Sequence, residues 1–380
     1  MEFKLIIKKL NKTLTSEEVI VFNKWYDESS LHRDYFNSVK KNFIDGNDID
    51  NIDVEKGWLA IQKNIKTPKT KTNTYWKYTA AAIFIGILAS SYFFRDSLFN
   101  TTIEETPITI NNNIEIGTDK AILTLEDGTV VALEKGQEYI SDNLQSNGEK
   151  LIYNATTNSK SEIAYNYLTI PRGGQFFIEL SDGTQVWLNS ESQLKYPVSF
   201  IKGEMRQVEL VYGEAYFDVS PSTEHDDAKF RVNNQSLEID VLGTEFNIKA
   251  YKDETNIYTT LVEGKVVLHS NTTREHLIPG QQSDFNLNTN AMTLKMVDVY
   301  NEISWKEGVF SFERKSLKDI MKVISRWYDF EVIFTNEAIE KKKFFGVLGK
   351  DQNIEEILKT IQDFGVIKTY EINNKTIILK

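Results

Sequence analysis

The chain contains no cysteine, which removes disulfide frameworks, thiolate zinc sites and cysteine nucleophiles while leaving its compartment open. Histidine is nearly as scarce. His32, His225, His269 and His276 are the only four, and no two stand at metal-ligand spacing on an expected helix. Proline occurs six times in 380 residues, and Pro171, Pro197, Pro221 and Pro279 fall at the ends of apolar runs, where a missing N–H costs least. No GxSxG, Walker or dinucleotide fingerprint occurs. An excess of positive charge is also lacking. With 44 Lys and Arg against 55 Asp and Glu, the net charge is −11, and no broad basic face is available to neutralise duplex phosphates. These absences point to binding and signalling rather than enzymatic chemistry, with no cofactor and no metal expected.

One stretch lacks charge altogether. Between Lys77 and Arg95 lie 17 uncharged residues, Tyr78 to Phe94, in a chain that is otherwise 26% charged. As a helix they span roughly 26 Å, a little short of a ~30 Å hydrocarbon core, and Lys77 and Arg95 can close the gap by snorkelling. Tyr75, Trp76, Tyr78 and Tyr92 suit interfacial belts. Ile83, Phe84, Ile85, Ile87, Leu88, Phe93 and Phe94 favour insertion by a few kcal/mol at most, and Gly86, Ser90 and Ser91 subtract from that. The reading is a single transmembrane helix at 78–94, the alternative being a buried helix of a soluble domain. Lys63, Lys66, Lys69, Lys71 and Lys77 precede it, and Asp96, Glu104 and Glu105 follow. Positive charge stays inside, so residues 1–76 are expected in the cytoplasm and 96–380 across the membrane of a single-pass protein.

Residues 1–66 carry helical periodicity, so an N-terminal all-α domain is expected there. Phe3, Ile6, Ile7 and Leu10 form one stripe. Thr15 and Glu18 make a capping box, and Leu14 with Val19 fits a hydrophobic staple, before a helix carrying Val19, Phe22 and Trp25 or Tyr26. Leu31, Tyr35, Phe36, Val39 and Phe43 mark a third helix, and Val54, Trp58, Ile61 and Ile65 a fourth. The acidic turn at 44–53 fails the calcium-loop register, because counting from Asp48 the sixth position is Asp53 rather than glycine. So thin a core invites completion by a partner, though a self-contained bundle is equally open. A basic linker, 67–77, and a second linker, 95–107, flank the uncharged run.

From 108 to 297 the period becomes two. Asp127-Gly128 and Asp182-Gly183, 55 residues apart, each stand between β-rich runs and predict hairpins with type I′ turns. Similar turns follow in VLGTEFNIKAY and LVEGKVVLHS, so an all-β domain of stacked hairpins, a sandwich or a solenoid, is expected. Residues 298–380 read strand, helix, strand, twice. Leu317/Ile354, Ile320/Ile357, Met321/Leu358, Ile324/Ile361 and Trp327/Phe364 are all 37 residues apart. This predicts a doubled βαβ, α+β domain with two helices on one sheet face, whose edges invite strand addition.

LTIPRGGQFFIELSDGTQVWLNSESQLKYPVSF, then VELVYGEAYFDVS, VLGTEFNIKAY, TTLVEGKVVL and LIPGQQSDFN, resemble the FecR family of transmembrane anti-sigma factors. The last domain resembles the secretin/TonB short N-terminal domain. The resemblance implies an inner-membrane protein with its C-terminus in the periplasm, whose cytoplasmic helices hold an extracytoplasmic-function sigma factor and whose C-terminal domain meets the signalling domain of a TonB-dependent outer-membrane transducer. Regulated proteolysis by site proteases would then release the sigma factor. Val19, Phe22, Trp25, Trp58 and Ile61 are the expected sigma contacts, and Phe310, Phe312 and Val332 the transducer contacts. Some relatives split themselves at a Gly–Thr bond; at Gly243-Thr244 the plain-turn reading is preferred over self-cleavage. The rival functions are a periplasmic structural or adaptor protein with no sigma partner, and a membrane-anchored carbohydrate hydrolase, for which no acid/base site stands out. The sensed stimulus, iron carrier or glycan, is not encoded in any motif.

Overall fold

The computed structural model describes residues 6, 9–10, 14–28, 32–33, 36–37, 40, 114–141, 144–153, 163–270 and 272–380. Near the N-terminus one complete helix is described, α1 (Ser16–Glu28), with further helical positions at 32–33 and 36–37. The expected fold class therefore needs correction. The described residues are mostly strand, their N-terminal part does not amount to an all-α domain, and no helix among them is long and apolar enough to cross a membrane. The run 78–94 lies outside the described residues. The overreach has a physical source. Apolar periodicity shows which face a helix would bury, but four short stripes supply too little apolar area to define a domain.

The β module opens with β1 (Thr118–Thr124), β2 (Val130–Glu134), β3 (Tyr139–Ser141), β4 (Leu144–Ser146), β5 (Lys150–Tyr153) and β6 (Tyr165–Ile170). It continues through β7 (Gly174–Glu179), β8 (Gln185–Leu188), β9 (Ser192–Pro197), β10 (Arg206–Asp218), β11 (Phe230–Asn234) and β12 (Leu237–Val241). It closes with β13 (Glu245–Ala250), β14 (Asn256–Glu263), β15 (Val266–His269), β16 (Arg274–Leu277), β17 (Gln281–Asn286) and β18 (Met292–Met296). These build two sheets. One runs β2-β1-β6-β9-β10-β11-β12-β15-β16. The other runs β3-β4-β5-β7-β8-β10-β13-β14-β17-β18. Strand β10 belongs to both: its first half pairs with β9 and β11, its second half with β8 and β13.

The alternation expected of half-buried strands is plain in β6 and β7, where every second residue is buried. Leu168, Leu194, Leu210, Val232 and Ile239 of one sheet and Ile178, Val186, Phe246 and Leu261 of the other share a single core. Each such side chain contributes about 1.5–3 kcal/mol by leaving water. Phe217 stacks on Phe246 at 5.2 Å and meets Phe230 of the opposite sheet at 6.4 Å. Both Asp-Gly hairpins form, but as three-residue loops. Leu125 N donates to Thr129 O, Leu180 N donates to Thr184 O, and only Gly128 and Gly183 take positive φ. That is a type I turn with a bulged glycine rather than the expected I′ turn.

The C-terminal module comprises α2 (Val299–Ile303), β19 (Val309–Ser316), α3 (Leu317–Tyr328), β20 (Glu331–Phe334) and α4 (Glu337–Glu340), then β21 (Lys343–Gly349), α5 (Ile354–Asp363), β22 (Tyr370–Asn373) and β23 (Thr376–Leu379). Ser316 caps α3, its Oγ accepting from Asp319 N at 3.1 Å, and Asn353 caps α5, accepting from Glu356 N at 2.9 Å. The stripes Leu317, Ile320, Ile324, Trp327 and Ile354, Ile357, Leu358, Ile361 are buried as their spacing predicts. Two details differ. The strands divide between a two-stranded sheet, β19–β21, and a three-stranded one, β20–β23–β22, rather than forming the single expected sheet. Phe364, expected in the core, is 65% exposed because α5 ends before it; Phe364 is the C-cap, and Gly365 turns the chain at φ 69°.

Gly213 is where β10 passes from one sheet to the other. Its φ is +99°, and a Cβ there would lie 2.2 Å from Ser192 Oγ. Gly213→Ala is expected to lower stability by about 2–4 kcal/mol, read as a drop in denaturation midpoint. An unchanged midpoint would show that the crossing tolerates a side chain.

Candidate functional site: an arginine clamp between two modules

Helix α1 begins with the expected capping box. Thr15 N donates to Glu18 Oε2 at 3.0 Å and Glu18 N to Thr15 Oγ1 at 3.3 Å. Phe22 and Trp25 are buried. The Phe22 ring lies 5.3 Å from Phe36, and Trp25 stacks on His32 at 4.8 Å. Two of the expected sigma contacts thus face inward, Val19 is half-buried, and Trp58 and Ile61 lie outside the described residues. The exposed apolar side chains of α1 are Ile20 at 70% and Val21 at 47%, which the sequence reading missed. The signal was present. A helix needs one apolar stripe, and the run VIVF supplies residues beyond it.

The β module and the C-terminal module meet through the loop between β6 and β7, Pro171-Arg172-Gly173. At the end of α3 the Phe330 amide turns back to Ser325 O, which leaves the Arg326 carbonyl without a helical partner, and this loop supplies its donor. Arg172 donates to Ser325 O at 2.8 Å and Phe330 O at 2.9 Å, and Gly173 N donates to Arg326 O at 2.7 Å. Arg172 also pairs with Asp329 at 3.3 Å and Glu191 at 3.1 Å. A cation at a helix C-terminus further offsets the helix dipole. Hydrogen bonding from Lys375, with Arg172 adding to it, holds the Asp329 carboxyl below its usual range.

Arg326 reaches the opposite way. From the last turn of α3 it pairs with Glu254 at 3.1 Å, Asp253 at 2.5 Å and Glu191 at 3.4 Å, and its guanidinium lies 3.6 Å from the Tyr251 ring centre. Beside it, Lys350 is buried. Its Nζ donates to Gln175 Oε1 at 2.6 Å and sits 3.7 Å from the Trp327 ring centre, and Trp327 Nε1 donates to Lys350 O at 3.0 Å. Burial pushes the Lys350 ammonium down to about 7, against the pull of Glu214 and Asp119. Trp327 packs directly over Gly117, where a Cβ would come within 2.5 Å of the ring.

The expected transducer contacts Phe310 and Phe312 are 3% and 6% exposed and belong to the C-terminal core, so their side chains present no surface; Val332 is half-buried. At Gly243-Thr244, Thr244 is buried, its Oγ1 donates to Lys265 O at 3.0 Å, and Gly264 packs against Gly243 O. The hydroxyl thus stitches two turns together. Among the described residues no group of three or more His, Asp or Glu side chains forms a metal cluster.

Residues 166–267 match the FecR protein family and residues 309–379 the family FecR, C-terminal. Two crystal structures of a candidate anti-sigma factor from Parabacteroides distasonis ATCC 8503 are similar. Each is 25% identical with a TM-score of 0.51, and the likeness covers 56% and 57% of this chain and 98% of that one. No curated protein matches the chain. The clamp-forming Arg172 and Gly173 fall inside the first matched segment, and α3 inside the second.

Two outcomes follow from the clamp and the turn. In the folded protein Lys350 loses its proton near pH 7, whereas the unfolded chain keeps it to about 10.5, so stability rises with pH across that window. The stability difference between wild type and Lys350→Met is expected to shift toward wild type by up to about 1.4 kcal/mol per unit from about pH 7 to about pH 9. A flat difference would mean an ordinary lysine. Thr244→Ala is expected to cost about 1–2 kcal/mol of stability while wild type and variant both run as one band on a denaturing gel. Two wild-type fragments, lost in the variant, would instead establish self-cleavage.

Proposed function

We propose, for a chain whose β module belongs to the FecR family and whose last module belongs to its C-terminal counterpart, an anti-sigma function exerted on an extracytoplasmic-function sigma factor. The FecR match over 166–267 carries this reading, and the likeness to the Parabacteroides protein supports it. The protein acts as a regulator, not as an enzyme. The N-terminal residues hold the sigma factor in the cytoplasm, through the exposed Ile20–Val21 strip of α1 rather than through the inward-facing Phe22 and Trp25. Residues 96–380 face the periplasm, where the C-terminal module receives a signal from a TonB-dependent outer-membrane transducer, and site proteases complete release. Lysines before the uncharged run 78–94 and acids after it support this orientation at the inner membrane.

On the C-terminal module the large apolar side chains exposed toward a transducer are Ile333, 51% exposed on β20, Phe345 and Phe364, rather than Phe310 and Phe312. Ile20→Asp or Val21→Asp in the full chain is expected to weaken co-purification of the sigma factor at least tenfold, about 1.4 kcal/mol or more, with helix content unchanged. Phe22→Ala should instead lower the helix content. Sigma capture that survives both aspartate substitutions would move the contact elsewhere. Reporter fusions finding both termini in one compartment would overturn the two-sided reading.

A further inference from the structure

A cavity of about 480 Å³ opens between the second sheet of the β module and α2, β19 and α3 of the C-terminal module. That volume falls within the roughly 300–1,000 Å³ of small-molecule sites, and such sites favour boundaries between modules. Both modules line it: Asn256, Tyr258 and Gln282 on one side, Trp305, Phe312 and Lys315 on the other.

One wall residue lacks a partner. Trp305 is 6% exposed, and its Nε1 makes no hydrogen bond among the described residues. A buried indole N–H left unpaired costs free energy, and an acceptor entering the cavity would recover it. Nearby, Glu214 is 8% exposed, accepting from Asn189 at 2.9 Å and Asn247 at 3.0 Å, with lone pairs left for a further donor. Burial raises its carboxyl pKa. The wall thus offers an unpaired donor and spare acceptor capacity at once.

The charges around the cavity decide what kind of group fits. Lys249 pairs with Glu254 at 3.0 Å, Lys315 with Glu302 at 3.6 Å and Lys322 with Asp253 at 3.3 Å. The other lining charges are Lys295, whose Nζ lies 5.6 Å from the Tyr258 ring centre, and Glu214 and Asp319, so four lysines stand against five carboxylates and neither sign dominates. The amides of Asn189, Asn256 and Gln282 present both donors and acceptors, while Tyr258 and Trp305 provide flat apolar faces.

From these features we infer that the cavity is a binding site for a neutral, hydroxyl-rich small molecule, a sugar or polyol. Its hydroxyls accept from Trp305 Nε1 and donate toward Glu214, and its C–H faces rest on the aromatic walls. Because the two modules share the lining, the bound molecule ties them together. The inference is independent of sigma binding, in which α1 and not this cavity takes part.

The test is calorimetric titration of the full chain with maltose, trehalose and myo-inositol, with citrate and spermidine as charged controls, alongside the indole N–H resonances of the six tryptophans. Saturable binding of at least one neutral probe is expected, with a shift of the Trp305 indole signal, a raised melting temperature, and affinity at least tenfold lower in Trp305→Phe. Tyr258→Ala serves as a second variant should the first fail to fold. No saturable binding by any neutral probe would overturn the inference. Equal binding of citrate or spermidine, or affinity undiminished in every folded variant, would overturn it too.

Discussion

The Arg172-Gly173 loop does for the end of α3 what a helix cannot do for itself. The last turn of any α-helix exposes carbonyl oxygens, and burying them unpaired against another module would cost about 1–3 kcal/mol each. The Gly173 amide satisfies the Arg326 carbonyl from outside the module that owns it, while Arg172 meets the Phe330 carbonyl and adds a further bond to Ser325 O, which already accepts from the Asp329 and Phe330 amides. Arg326 reciprocates by carrying its own charge into the acidic wall of Asp253, Glu254 and Glu191. Glu191 takes part in both exchanges, held at φ 59° between the two guanidinium groups. Neither module completes its polar accounting alone, which is why the helix end sits where it does.

The two halves of the clamp differ in strength for a physical reason. Arg172 and its carboxylate partners keep 28–42% side-chain exposure, so water competes for their ion pairs, and its backbone carbonyl contacts do more of the holding. Arg326 is 4% exposed and stacked on Tyr251, so removing one of its partners would leave a buried charge, and the loss would be larger. A purely apolar junction would tolerate sliding. The direction of Arg172 toward two carbonyls and two carboxylates fixes one rotation of the C-terminal module against the β module.

How much of this was legible beforehand depended on range in sequence. The capping residues Thr15, Ser316 and Asn353, the Asp-Gly hairpins and the stripes of α3 and α5 were readable because their causes lie within a few residues. The hairpin turn type was misjudged because the closing pair, Leu125 with Thr129, is set by strand register rather than by the dipeptide. A strand pattern does not say which side of a module is covered, so the burial of Phe310 and Phe312 in the C-terminal core is not legible in it. The expected all-α domain rested on apolar periodicity and one capping box, signals of single helices rather than of a shared core, and it did not translate into a described domain. Arg172 lies inside the quoted motif without a legible role, since all its partners but Glu191 lie more than 150 residues away.

That distance bears on why an arginine and two glycines stand together. Gly173 holds φ 72°, a conformation that turns its amide toward the Arg326 carbonyl, and a Cβ on Gly174 would press on Lys120 at 3.0 Å. Pro171 fixes the approach and accepts from Gly174 and Glu191 amides. With the backbone so constrained, Arg172 projects into the helix end with little conformational freedom left to lose on docking. A motif that reads as an ordinary turn between two strands of the β module is therefore built to the shape of a different module's helix. The recognition element of the junction lies in the strand connection, and the C-terminal module supplies the carbonyls it was shaped to meet.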